Sequence, residues 1–104
     1  MANAKEELLN ILVNTAYMKC AVIYDRHELD EDRKIIKLLK VNYTEKEYLD
    51  FINGLDFKYD SGFGGQELFG TVWLLDGTWL SRGEYDGSEW WEHNKLPEIP
   101  KELL

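Results

Sequence analysis

The chain has 104 residues and carries 12 Lys and Arg against 20 Asp and Glu, a formal net charge of -8. Residues 1–52 hold eight of the cations and ten of the carboxylates, whereas 53–104 hold four and ten, so most of the net charge lies in the second half. Such a balance repels phosphate backbones and anionic membranes; it disfavours direct nucleic-acid binding and points to a basic partner or to solubility.

The first element in chain order is a helix over about residues 4–15: Asn3 and Glu6 have capping-box spacing, and Leu8, Ile11, Leu12 and Ala16 recur at helical intervals. Residues 19–24, Lys-Cys-Ala-Val-Ile-Tyr, read as a strand buried on both faces. The charged residues 25–33 read as an exposed turn. Residues 34–41 fit a helix through Ile35, Leu38 and Leu39 and a strand through Ile36 and Leu38. The strand reading, paired with 19–24, is favoured by the sharp start of the next helix. There Thr44 and Glu47 form a second capping box, and Tyr48, Phe51, Ile52 and Leu55 recur at i, i+3, i+4 and i+7 with Gly54 near the end. A helix that begins at so definite a cap leaves the preceding segment free to be a strand.

Residues 57–60 read as a short strand and 61–66, Ser-Gly-Phe-Gly-Gly-Gln, as a glycine-rich loop. Residues 68–75 and 78–82 then flank Asp76-Gly77, the signal of a two-residue hairpin turn. With that turn Trp73 opposes Leu80 and Leu74 opposes Trp79, so each face of the hairpin receives one tryptophan. A second Asp-Gly, Asp86-Gly87, precedes Ser88-Glu89-Trp90-Trp91-Glu92-His93, and Pro97 and Pro100 predict an extended tail.

The glycine loop lacks the lysine and the following helix of a phosphate-binding loop and reads as a connection. Glu84, Asp86, Glu89 and Glu92 lie near aromatics, as the acids of sugar-cleaving sites do, but spacing alone reads more simply as a solvated acidic surface. His27 and His93 have neither zinc nor calcium-loop spacing, so no metal and no cofactor is expected. Cys20 is the only cysteine, which excludes an intrachain disulfide and fits a reducing compartment. No secretory leader or long apolar run is legible, so a soluble, cytoplasmic protein without membrane contact is expected. The adjacent Trp90 and Trp91 are the most unusual feature: in an extended segment their rings point to opposite sides, one toward the core and one toward a partner.

Residues 57–64 (Phe-Lys-Tyr-Asp-Ser-Gly-Phe-Gly), 68–73 (Leu-Phe-Gly-Thr-Val-Trp), 82–91 (Arg-Gly-Glu-Tyr-Asp-Gly-Ser-Glu-Trp-Trp) and 97–100 (Pro-Glu-Ile-Pro) are similar to small proteins of tailed bacteriophages and prophages. The resemblance spans a little under half of the chain. It implies a setting, the cytoplasm of an infected bacterium, and no assigned activity or catalytic residue.

The expected architecture is a single α+β domain over residues 1–104, an antiparallel sheet of about four or five strands packed against two helices. The expected function is that of a non-enzymatic, acidic binding protein that modulates or inhibits a host protein with a basic surface, such as a nucleic-acid-binding or defence enzyme. Its partner-binding residues are read as Trp79, Tyr85, Asp86, Glu89, Trp90, Trp91 and Glu92. The alternative is a small-ligand binder whose tryptophans stack on a nucleotide or sugar beneath the glycine loop. A hairpin apolar on both faces also allows a homodimer.

Overall fold

The computed structural model describes residues 2–25, 35–59, 66–86 and 88–104. The charged turn expected at 25–33 and the glycine loop expected at 61–66 lie almost wholly outside the described residues.

Helix α1 (Ala4–Val13) begins where Asn3 accepts the Glu6 N–H at 3.0 Å. Its next free donors are satisfied by the end of the other helix: the Ala4 and Lys5 N–H groups donate to the carbonyls of Phe57 and Leu55. Helix α2 (Glu45–Gly54) carries the full capping box, with Thr44 Oγ1 accepting from the Glu47 N–H and Glu47 Oε1 accepting from the Thr44 N–H. Strands β1 (Ala2–Asn3) and β4 (Lys58–Tyr59) pair antiparallel beside this junction, so the two helix ends are tied by backbone as well as by side chains.

The main sheet is antiparallel throughout, in the order β3-β2-β5-β6-β7. Its strands are β2 (Met18–Asp25), β3 (Ile35–Leu39), β5 (Leu68–Leu74), β6 (Trp79–Tyr85) and β7 (Ser88–Asn94). Within the ambiguous segment, Ile35–Leu39 is therefore a strand at one edge, paired with β2 as the sharp cap at Thr44 implied. Among the described residues the architecture is α+β, two α-helices and a five-stranded antiparallel sheet with a two-stranded accessory sheet.

One face of the sheet builds the core. Ala21, Ile23, Leu39, Leu68, Val72, Leu74 and Leu80 point from it toward Leu8, Phe51, Ile52 and Leu55 of the helical layer, and all of them are buried. Truncating any of the large ones to Ala should cost about 2–5 kcal/mol. Strand β2 is not buried on both faces as expected: Cys20 and Val22 alternate with Ala21 and Ile23 and are only half-buried, because both helices lie on the other side. Gly70 is required where β5 meets β2, since a Cβ there would stand 2.4 Å from the Val22 carbonyl oxygen. Among the described residues no helix is long and apolar enough to cross a membrane.

The first hairpin departs from expectation by one residue. Asp76-Gly77 is not a two-residue turn: Leu74 N–H donates to the Thr78 carbonyl, and Gly77, at φ 87°, closes a three-residue loop that begins at Leu75. Asp76 adds a local bond of its own, its Oδ1 accepting from the Thr78 N–H and hydroxyl, which holds that carboxyl below the usual range. The extra loop residue shifts the register, so Val72 opposes Leu80 and Trp73 opposes Trp79. A shift of one residue moves a whole strand's side chains to the other face. The two tryptophans consequently share a face instead of dividing between two. At the second Asp-Gly the register is the expected one, with Tyr85 opposite Ser88 and Asp86 at φ 51°.

Candidate functional site

The hairpin β6–β7 has two chemically different sides. On the side facing the helices, Arg82 follows Leu80 at the strand period of two and is paired in register with Trp91, while Glu89 lies diagonally beside it. The Arg82 and Glu89 side chains are 2% and 0% exposed and form an ion pair at 2.9 Å. Glu89 Oε1 also accepts the Leu68 N–H at 3.0 Å and Oε2 the Glu67 N–H at 2.6 Å, so this carboxylate fastens the start of β5 to the hairpin. Arg82 Nη2 donates in addition to the Tyr59 hydroxyl at 2.9 Å, and that hydroxyl donates to Glu7 of α1. The guanidinium carbon lies 4.9 Å from the Trp91 ring centre and 5.7 Å from that of Tyr59. Burial, aided by the bond to Glu7, raises the Tyr59 phenol well above its ordinary pKa even though Arg82 pulls the other way. Among the described residues Arg82 Nε and Nη1 have no hydrogen-bond partner, which leaves the ion pair as the main compensation for burying this cation.

Among the described residues no helix lies over the other side of the sheet. Trp73 and Trp79 stand directly opposite one another across β5 and β6, and Trp73 is 44% exposed. Trp90 is paired with Gly83, and its indole lies where a side chain would be: a Cβ on Gly83 would stand 2.5 Å from the Trp90 Nε1. That nitrogen donates to Glu92 Oε1 at 3.0 Å, which fixes the ring over the glycine while leaving it 37% exposed. Asn94 Nδ2 donates to Ser81 Oγ at 2.8 Å and to the Glu92 carbonyl at 3.2 Å. Tyr24 and Phe69, paired across β2 and β5, stack with ring centres 5.9 Å apart. The face ends at the Asp86 turn, where Tyr85 is 77% exposed.

The seven residues singled out in the sequence thus divide. Trp79, Trp90, Glu92 and Tyr85 share the open face, and the exposed Asp86 caps its end. Glu89 and Trp91 are on the covered side, spent on Arg82 and the start of β5. The adjacent tryptophans do point to opposite sides, Trp91 inward and Trp90 outward. Trp73, Phe69 and Tyr24, which are not among the seven, stand on the same face: Trp73 and Phe69 alternate with the buried Val72 along β5, Tyr24 pairs with Phe69, and the shifted hairpin register brings Trp79 to their side. Arg82 was also missed. Its signal was available: a two-residue turn at Asp86-Gly87 sets Arg82 opposite Trp91 on the same side as Leu80 and Glu89.

The carboxylates divide between the two faces: Glu84 is paired in register with Glu89, Glu89 is committed to Arg82, and Glu92 lies on the opposite face with Trp90. Among the described residues no three His, Cys, Asp or Glu stand together as a metal site. No protein-family model, curated protein or solved structure matches the chain.

Proposed function

We propose that this chain is a non-enzymatic binding protein that docks the open face of its sheet on a basic surface of another protein and modulates that protein. In the phage setting implied by the similar residues between 57 and 100, the partner is a host protein of the bacterial cytoplasm. A nucleic-acid-binding or defence enzyme has the required basic surface.

The observation that carries this reading is the set of three indoles on one uncovered face, Trp73 against Trp79 and Trp90 over Gly83, beside Glu92 and the Asp86 turn. Tryptophan is the residue type most enriched among interface anchors, and a negative rim steers a positive partner. A nucleotide or sugar could also stack on these rings, and that is the second reading. The protein partner is favoured because Glu92, Asn94 and Ser81, at the centre of the face, already bond to one another or to Trp90 instead of being turned toward a small molecule.

The test begins with the polypeptide that copurifies with the tagged chain from bacterial cells, identified, purified and titrated with the chain. Replacing Trp73 and Trp90 together by Ala should weaken binding by at least about 30-fold while far-UV circular dichroism is unchanged. Glu92→Lys should weaken it further, and raising salt should weaken the parent complex. Unchanged affinity in the double tryptophan variant would overturn the proposal. A bound small molecule in native mass spectra, lost in that variant, would establish the second reading instead.

A further inference from the structure

Strand β7 ends the sheet, and the hairpin geometry says which of its backbone groups face outward. The Leu74 N–H bonds to the Thr78 carbonyl, and Val72 stands opposite Leu80 two residues further along. Backbone groups alternate sides along a strand, so Leu80 bonds toward β5 while Trp79 and Ser81 bond toward β7. Their partners Asn94 and Glu92 point back into the sheet, which turns the N–H and carbonyl groups of Trp91 and His93 away from it. Among the described residues no other backbone group bonds to these two on that side.

The opposite edge is guarded and this one is not. Strand β3 has five residues, with Lys37 inside it and Lys40 directly after, and lysine on an edge discourages pairing. Strand β7 runs for seven residues without lysine, proline or a break in register. Its two flanks differ in chemistry. Trp90 and Glu92 lie on the open face, joined by the bond from the indole nitrogen. On the helical side, Glu7, Asn10 and Ile11 of α1 line an open groove with Trp90 and Trp91, with room for a side chain.

We infer that β7 accepts an extended segment of another polypeptide as a further strand, one in which basic and apolar residues alternate. Residues directly opposite each other share a face. The one opposite Glu92 therefore reaches the open face, where an arginine meets that carboxylate and the Trp90 ring. The one opposite Trp91 turns toward Ile11 and is apolar. Bonds to the backbone of Trp91 and His93 supply the affinity, and the two flanks supply the selection. A second copy does not suit this edge. Antiparallel pairing of residues 91–93 with the same stretch of a copy sets Glu92 opposite the copy's Glu92, between two chains of charge -8. The inference goes beyond the docking proposed above and stands without it, since Trp73 and Trp79 take no part.

The probe is the peptide acetyl-Val-Arg-Val-Arg-Val-amide, titrated into the full chain labelled with nitrogen-15. The backbone amides of Trp91 and His93 should shift and become protected from hydrogen exchange. Methylating the valine nitrogens, whose N–H groups would face β7, should weaken binding by at least about 10-fold. Methylating the arginine nitrogens, which face away, should change it by less than about 3-fold. On the protein, His93→Pro removes an outward N–H that the ladder does not use, so the circular dichroism spectrum should be kept while binding falls by at least about 10-fold. His93→Ala, which keeps the N–H, should bind as the parent does. No shift of these amides at millimolar peptide, an equal effect of the two methylations, parent-like binding by a folded His93→Pro, or a chain already dimeric through β7 would overturn the inference. The peptide titration needs no copurified partner, so its failure and that of open-face docking are told apart.

Discussion

Replacing Glu89 by Ala should be among the most damaging single changes to this protein. The substitution removes the carboxylate that accepts from Arg82 Nη2 and from the Glu67 and Leu68 N–H groups. Arg82 would then be a buried cation with one remaining acceptor, the Tyr59 hydroxyl, since its Nε and Nη1 are already without partners among the described residues. Removing one member of a buried ion pair costs about 3–5 kcal/mol. That is a large share of the roughly 5–15 kcal/mol available to a domain of this kind. In urea the unfolding midpoint should fall by about 2 M. Arg82→Met combined with Glu89→Leu should recover only part of the loss, because the apolar pair removes the uncompensated ion but leaves the Glu67 and Leu68 N–H groups without their acceptor. A Glu89→Ala cost below about 1 kcal/mol, as expected of an exposed pair, would refute the reasoning.

The two glycines of the sheet should respond differently to Ala. At Gly70 the obstacle is the Val22 backbone oxygen, 2.4 Å away, which cannot yield without moving β2, so a loss of about 3 kcal/mol is expected in urea melts. At Gly83 the obstacle is the partly exposed Trp90 indole, which can swing into solvent, so the cost should be near 1 kcal/mol with a red shift of tryptophan emission. Alkaline stability should report Tyr59: its folded pKa is raised, so its contribution is complete below the unfolded phenol range near 10 and is lost as pH rises through the higher folded value. The urea midpoint should therefore decline above about pH 10, and less steeply in Tyr59→Phe. Thr44→Ala, which breaks the capping box of α2, should cost about 1 kcal/mol in the same assay.

Local chemistry explains which parts of this architecture were legible in the sequence. Asn3 and Thr44 mark helix starts because their side chains accept backbone N–H groups that have no other partner, and both helices begin as read. The second Asp-Gly was legible for the same reason, since a two-residue turn demands positive φ and Asp86 adopts it. The first Asp-Gly was misread by one residue because Gly77 alone satisfies the positive φ of a three-residue loop equally well. That slip decides the site: it moves Trp73 beside Trp79 and turns a divided pair into one face. Glu89 could not be told from Glu92 by composition. Strand alternation measured from the Asp86 turn separates them, one beside Arg82 in the interior and one beside Trp90 in solvent.

The open face is tested most directly by the four tryptophan indole N–H resonances in nitrogen-15 spectra of the labelled chain, recorded as the copurifying partner is added. If the partner docks there, the signals of Trp73, Trp79 and Trp90 shift or broaden together while that of Trp91, stacked on Arg82 beneath the sheet, holds its position. A perturbation confined to Trp91, or none in the other three at saturating partner, would contradict docking on the open face.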